Sequence, residues 1–213
     1  MAAMERGAIH WAGYRWGTLV ESDLTALALE LDQPPITRWL CSRGPTEVFP
    51  NLQNRCVGDA RGESLHLIPH LGGRPLGFAA LRPYVGIPGR LQTAIYLSPR
   101  GWGTGLNRRC ASLLWRIGHA MLGHRVLVAS IDADNGRSLA ARRKLETCEP
   151  DLVFEPWFPR LAYLFELRGP PRESDPIAPA VERCFARLVE GLPIFGRQAQ
   201  RMVEPAGVVP SSW

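Results

Sequence analysis

The stretch Ile95–Leu106 combines a strand-like run, spaced glycines and a helix start in a pattern that could bind phosphate groups. It reads Ile-Tyr-Leu-Ser-Pro-Arg-Gly-Trp-Gly-Thr-Gly-Leu. The first N–H groups of a helix have no intrahelical partner and lie at the positive end of the helix dipole, so they attract anions. Glycine allows close approach of the backbone or a positive φ. The spacing fits neither a Walker loop nor the G-x-G-x-x-G of dinucleotide-binding folds.

A second polar segment follows the next predicted strand. It reads Asp-Asn-Gly-Arg-Ser from Asp134 to Ser138 and continues to Arg142-Arg143-Lys144. Taken alone, Asn135 with Ser138 three residues later is also typical of a helix N-cap. The glycine-containing loop followed by this segment is a much more specific signal of function than either segment alone.

Together the two segments resemble the GNAT superfamily of acyl-CoA N-acyltransferases. Arg100–Gly105 fits the family's R/Q-x-x-G-x-G/A loop, and its surroundings are similar to the ribosomal-protein acetylase-like branch. Asn135, Ser138 and Lys144 match the N-x-x-S/A-x-x-x-x-x-K segment. The resemblance in architecture covers roughly Thr18–Arg168.

This resemblance implies that an acetyl or other acyl group is transferred directly from acetyl-CoA or another acyl-CoA to a primary amine in a ternary complex. The cofactor is expected where the predicted strands 91–97 and 125–131 diverge, with backbone N–H groups near Leu97 stabilising the oxyanion. The acceptor is expected to be a small molecule, a peptide or a protein. The residues expected to hold the cofactor are Tyr96, Leu97, Arg100, Gly101, Trp102, Gly103, Thr104, Gly105, Asn135, Ser138 and Arg142.

The chain departs from the family at the positions expected to supply a general base. Relatives carry a glutamate on the strand before the loop, where this chain offers only Gln92 and Thr93, or five residues before the asparagine, where it has Ser130. Asp132 lies two residues further on, on the same face of the strand. We therefore expect Asp132 to act as the base, directly or through water.

The position of the general acid also differs. The tyrosine that the branch carries seven residues after the asparagine is Arg142 here. An arginine cannot usefully give up a proton, although it can bind a phosphate. Tyr163 is our candidate for the catalytic acid, with Tyr96 as an alternative. No cluster of His, Cys and Asp indicates a metal site.

Hydrophobic periodicity predicts the elements that position these residues, and their order gives an α/β (α+β) fold. We expect a mixed, mostly antiparallel central sheet flanked by helices. The predicted elements are a helix over 21–31 with Ser22 as its cap, short helices and loops over 34–59 that could form a lid, a hairpin of strands near 65–67 and 76–81, a strand over 91–97, a helix over 106–122 ended by Gly123, a buried strand over 125–131, a helix from 135 to about 145 and a strand over 161–167.

The charge distribution leaves other functions open. The net charge is +5, and the segment Ser64–Ile131 contains eight arginines and no acidic residue. Such an imbalance favours a polyanion, either a phosphorylated cofactor or a nucleic acid. One alternative is therefore a GNAT-like transferase that takes its acyl group from aminoacyl-tRNA. Another is a non-catalytic domain that binds CoA or nothing.

Composition and patterning indicate one domain with an appendage. We expect an acyltransferase domain over 1–168 and a Pro-rich linker with a helical extension over 169–213. Apolar residues at helical spacing from Val181 to Leu192 predict an amphipathic helix, which would pack back on the chain or form a homodimer contact. The chain lacks an apolar run long enough for a membrane span and lacks a signal-like start, so we expect a cytoplasmic protein.

Overall fold

The computed structural model of the protein describes residues 9–40, 47–84, 86–87, 90–124, 126–145, 150–155, 160–170 and 176–190. Within these ranges the chain forms one nine-stranded sheet and six helices. The strands are β1 (Ile9–Trp11), β2 (Tyr14–Thr18), β3 (Leu65–Leu71), β4 (Arg74–Pro75), β5 (Gly77–Pro83), β6 (Leu91–Leu97), β7 (Leu127–Asp132), β8 (Asp151–Glu155) and β9 (Arg160–Leu167). The helices are α1 (Leu24–Leu31), α2 (Pro34–Leu40), α3 (Val48–Ala60), α4 (Leu106–Arg116), α5 (Gly136–Arg143) and α6 (Pro179–Glu190).

The strand order confirms the predicted mixed, mostly antiparallel sheet. The strands lie in the order β1-β2-β3-β5-β6-β7-β9-β8, with β4 paired to β3. In the described part of the sheet, β6 and β7 form the parallel pair and the other neighbours are antiparallel. A parallel pair needs a crossover connection, and α4 provides it.

Helices cover both faces of the sheet. On one face, α4, α5 and α6 bury Leu113, Leu139 and Phe185 against the sheet. On the other face, α1, α2 and α3 pack around Phe78 and Ala80 of β5. These two layers fix the ends of β6 and β7, where the chemistry-bearing residues lie.

The predicted end of α4 agrees with the structure, and the predicted cap of the first helix does not. A turn of π-helix over Ile117–Met121 extends α4, and Gly123 follows it with φ +69°, as predicted for its end. The assignment of Ser22 as a cap is wrong, because Ser22 lies inside a 3₁₀ turn over Glu21–Asp23 and α1 begins at Leu24. The residue before α1 is therefore Asp23.

Several elements were not predicted. Neither the β1–β2 hairpin nor β8 was predicted, and α3 is a regular helix where short helices and loops were expected. The strands escaped prediction because they are short. The helix α3 escaped prediction because it contains Pro50, Asn54 and Gly58, which have low helix propensity. Packing compensates for that propensity, since Val48 and Leu52 are buried beneath α3.

The C-terminal helix packs back on the chain, in agreement with the first of the two interpretations. Phe185 and Val189 of α6 join the core shared by α4 and the sheet. Trp11 Nε1 donates to the Pro176 carbonyl oxygen at 3.3 Å, and Arg116 lies 3.5 Å from Glu182. The proposed division at residue 168 and a homodimer contact stay predictions, and Leu192 lies outside the described residues. In the described ranges, none of the helices is long and apolar enough to cross a bilayer.

Candidate active-site cleft

The two parallel strands separate soon after they begin. They pair at Leu91 with Leu127 and at Gln92 with Val128, and the described register continues no further. A cavity of about 800 Å³ opens beyond this point between the strands, the glycine-containing loop, α2 and α5. The sequence predicted the cleft at this pair of strands.

The separation leaves backbone groups of β6 facing the cavity. Ser98 N donates to the Leu76 carbonyl at 2.8 Å, and Leu97 is aligned with Gly77. Hydrogen-bonded pairs alternate along an antiparallel ladder, so the N–H groups of Ile95 and Leu97 point away from β5 and towards β7. Because β7 has diverged there, these two groups face the cleft. They include the predicted oxyanion donor.

The loop after β6 adopts a conformation that requires glycine at two positions. Gly103 has φ +73° and Gly105, directly before α4, has φ +77°. A Cβ atom on Gly103 would meet nothing within 4 Å, so its exposed side is open space. Gly101, Gly103 and Gly105 all line the cavity beside the N-terminus of α4. The loop can therefore present backbone N–H groups to an anion.

Two predicted cofactor residues in this loop do not line the cavity. The Thr104 hydroxyl donates to the Gly101 carbonyl at 2.9 Å and accepts from Leu106 N at 3.3 Å, so it holds the loop in shape. Arg100 is exposed and lies 3.2 Å from Glu30 of α1. The structure thus brings the glycines to the cleft and directs these two side chains elsewhere.

Trp102 connects the loop to both sides of the cleft. Its Nε1 donates to the Leu97 carbonyl at 2.9 Å. The guanidinium carbon of Arg137, on α5, lies 3.3 Å from the centroid of its ring. Trp102 and Arg137 both line the cavity.

The predicted residues around α5 combine capping with a place in the cleft. Asn135 Oδ1 accepts from Ser138 N at 3.2 Å, so Asn135 is the N-cap of α5. Both residues also line the cavity. Arg142 is buried at the parallel seam, where its Nη2 donates to Thr93 Oγ1 at 2.9 Å. The capping and cofactor interpretations of Asn135 are therefore compatible.

The cleft contains the predicted base and one of the two tyrosines. Asp132 is 7% exposed and lines the cavity. Tyr96 also lines it, with its hydroxyl donating to the Trp39 carbonyl at 3.3 Å. Tyr163 instead packs against the main core, where Arg143 lies 5.6 Å from its ring centroid. The structure does not bring Tyr163 to the cavity wall with Asp132.

Sequence reasoning missed a buried carboxylate beside the cleft. Glu155, at the end of β8, is fully buried. The Ser130 hydroxyl donates to Glu155 Oε1 at 2.5 Å, and the Tyr84 hydroxyl lies 3.3 Å from the same oxygen. Ser130 lines the cavity, and the family resemblance implies a glutamate at its position. A carboxylate from another strand thus lies next to that position.

The predicted lid segment forms one wall of the cleft. Pro34, Pro35 and Ile36 of α2 line the cavity. Arg38 Nη2 lies 2.6 Å from Asp134 Oδ2, and both side chains are 65% exposed. This ion pair links α2 to the turn between β7 and α5. Among the residues with described positions, no group of three or more His, Cys, Asp or Glu side chains could hold a metal ion.

Solved structures of N-acetyltransferases are similar to this chain. A ribosomal-protein-alanine N-acetyltransferase from Brucella melitensis has a TM-score of 0.53 at 21% identity, covering 71% of this chain and 96% of its own. The spermidine N-acetyltransferase from Vibrio cholerae in complex with CoA and spermine has 0.56 at 14% identity, covering 73% and 96%. An N-acetyltransferase from Staphylococcus aureus Mu50 has 0.53 at 19% identity, covering 74% and 99%.

Comparisons of the sequence with protein families and with curated proteins found no match. The fold is nevertheless clear from the strand order, the separated parallel pair and the solved neighbours together. The chain has the fold of the GNAT acetyltransferases.

Proposed function

We propose that this protein is an N-acyltransferase that transfers an acetyl or other acyl group from acyl-CoA to a primary amine by direct attack in a ternary complex. The observation that carries the proposal is the cleft between β6 and β7. Backbone N–H groups of Ile95 and Leu97 face it, and the open side of Gly103 adjoins the N-terminus of α4. Both ends of a pantetheine diphosphate would find hydrogen-bond donors there.

The residues at the two ends of this cleft have distinct roles. Gly103 and Gly105 would hold the pyrophosphate with backbone N–H groups, whereas the Gly101 N–H donates to the Ser98 carbonyl at 2.9 Å. Asn135 and Ser138 would border the pyrophosphate from α5. When bound, the cofactor supplies an acyl group activated as a thioester. Leu97 N–H stabilises negative charge that develops on the acyl carbonyl oxygen, a contribution that is strongest in a water-excluded site.

Asp132 and Tyr96 handle the protons. An amine acceptor arrives mainly as an ammonium ion and must lose a proton before it can attack. Asp132 lines the cavity and accepts that proton, directly or through water. Tyr96 lines the same cavity and donates a proton to the departing thiolate. Tyr163, the candidate from the sequence, is the less suitable acid because it packs against the core and is not among the residues that line the cavity.

The alternative donor, aminoacyl-tRNA, gains no support from the arginines of the basic segment. Three of these arginines are paired with acidic residues from outside the segment, which reduces their value for binding nucleic acid. The pairs are Arg90 with Glu166, Arg100 with Glu30 and Arg116 with Glu182. We therefore place the phosphate-binding role in the glycine-containing loop.

Amine-dependent release of CoA thiol from acetyl-CoA tests the proposed function. A panel of alkylamines, amino acids, polyamines and N-terminal peptides covers the acceptor classes, and mass spectrometry identifies the acylated product. We expect thiol release that depends on an amine and an N-acyl product. Release that is independent of every amine, or none despite bound acetyl-CoA, would contradict it.

A further inference from the structure

Among the described residues, four arginines line the cavity, and Arg82 is one of them. Arg82, on β5, lines the cavity and its Nε donates to Gln92 Oε1 at 3.1 Å. The structure records no ion pair for it in the described part of the chain. Of the other three, Arg38 is paired with Asp134, whereas Arg137 stacks on Trp102 and Arg142 donates to Thr93.

The location of Arg82 separates it from the expected phosphate site. Its register partner Gln92 is the second residue of β6, whereas the glycine-containing loop follows Leu97 at the other end of that strand. Five residues of strand span about 16 Å. A pyrophosphate held by the loop is therefore too far away to neutralise Arg82 by direct contact.

The surroundings of Arg82 favour an anion. Burial and the neighbouring Arg55 lower the pKa of Arg82, while Tyr96 and Glu155 oppose that shift. The carboxylate of Glu155 accepts hydrogen bonds from Ser130 and Tyr84 at Oε1, and its charge offsets only part of the effect of burial and Arg55 on the pKa of Arg82. A guanidinium presents a planar fork of donors that matches a carboxylate.

We propose that the amine acceptor carries a carboxylate and that Arg82 binds it. This inference rests on the proposed function and names its substrate class. Asp132 lies four residues beyond Val128, the partner of Gln92. The strand positions of Val128 and Asp132 are therefore about 13 Å apart along the sheet. An acceptor that places its amine at Asp132 and its carboxylate at Arg82 must have several atoms between the two groups. A diamine or polyamine would instead bring a cation to Arg82, which like-charge repulsion disfavours.

The test compares acceptors that differ at one end only. ω-Amino acids with two to six methylene groups are titrated by calorimetry into the CoA-saturated protein, beside alkylamines and diamines of the same lengths. Acetylation kcat/KM is measured for each. We expect at least one ω-amino acid to exceed its alkylamine roughly 10- to 100-fold, as for a hydrogen bond to a charged group. Equal or better binding of every alkylamine or diamine would overturn the proposal.

Variants assign the preference to Arg82. In Arg82→Gln, we expect the affinity for the ω-amino acid to lie within about threefold of the affinity for the matching alkylamine. In Arg82→Lys, we expect this preference to fall only in part, because lysine keeps the charge but lacks the planar fork of donors. Arg116→Gln, on α4 and outside the cavity lining, is the control and keeps the preference. An unchanged preference in both Arg82 variants would overturn the assignment.

The outcome also separates this inference from the proposed function. If the protein does not bind CoA or acetyl-CoA, the proposed function fails, and the same titrations are made on the protein alone. Binding of an ω-amino acid that depends on Arg82 would still support the carboxylate site. If acetyl-CoA binds and alkylamines are the better acceptors, the proposed function survives and the carboxylate site is wrong.

Discussion

Ser130 Oγ on β7 lies 2.5 Å from Glu155 Oε1 at the end of β8. The family resemblance implies a glutamate at the position of Ser130, and in this chain a carboxylate from another strand lies beside that position. Two carboxylates, Asp132 in the cavity wall and Glu155 beside Ser130, thus lie at this part of the cleft, and they differ in access. Asp132 lines the cavity, whereas Glu155 is reached through the Ser130 hydroxyl. This difference gives each a distinct expected role.

Asp132→Asn should lower kcat by roughly 10²- to 10⁴-fold, the usual contribution of a general base, with little change in the affinity for acetyl-CoA. The loss should be greatest at low pH, because there the acceptor is almost entirely an ammonium ion and needs the carboxylate to take its proton. The pH–rate profile of the variant should therefore rise more steeply than that of the wild type. A profile of unchanged shape would remove Asp132 as the base.

Glu155→Gln should have a smaller effect, because Glu155 orients Ser130 and does not touch the acceptor. Glutamine retains an oxygen that accepts from a hydroxyl, so we expect a loss of less than about tenfold in kcat/KM for the amine. Ser130→Ala is the matched variant and should show a loss of similar size. A larger loss in Glu155→Gln than in Asp132→Asn would transfer the role of base to Glu155.

Protonation of the buried His66 should contribute to the change of the free energy of unfolding with pH. His66 is buried, with Nδ1 2.7 Å from Asp59 Oδ1 and Nε2 3.4 Å from Arg55 Nη1, and Phe78 packs against its ring. Burial lowers its pKa more than Asp59 raises it. The unfolded state therefore binds the proton more readily, and this contribution to stability is lost as the pH falls through about 6.5, the unfolded value.

Urea unfolding between pH 8 and pH 5.5 measures this effect. The free energy of unfolding should fall with pH in the wild type, and the slope should be shallower in His66→Gln. His10→Gln, at an exposed position of β1, should keep the wild-type slope. A slope unaffected by His66→Gln, or stability that rises as the pH falls, would contradict the expected direction.

The sequence predicted the elements with strong periodicity and the loop whose conformation depends on glycine. β6, α4 and β7 lie where apolar spacing placed them, because burial on one or both faces leaves a regular pattern. α5 follows Asn135, the residue expected to open it. Gly103 and Gly105 have the positive φ for which glycine is required. Tertiary packing determines the rest, including α3, which forms despite weak propensity.

The parts of the site that escaped prediction depend on strand order. Glu155 follows Ser130 by 25 residues and reaches it because β8 and β9 fold back beside β7. Nothing in the spacing of the two residues indicates that contact. Likewise, Arg82 is one of many arginines in the sequence, and only the structure places it in the cavity wall with Gln92 as its hydrogen-bond partner.

The central claim, that the cleft binds an acyl-CoA on the glycine-containing loop, is tested most directly by calorimetric titration of acetyl-CoA into three proteins. These are the wild type, Gly103→Val and Gly73→Val. Gly73 also has a positive φ with open space around it, but it lies in the turn between β3 and β4, outside the cavity lining. In both variants a valine must adopt the left-handed conformation, which should lower the free energy of unfolding by about 1–2 kcal/mol. The backbone strain of the two variants is therefore matched.

We predict that the wild type and Gly73→Val bind acetyl-CoA with similar affinity. Gly103→Val should show no measurable binding while it remains folded, because its side chain occupies the space through which a phosphate approaches the loop. No binding by the wild type, or equal binding by Gly103→Val, would contradict the account.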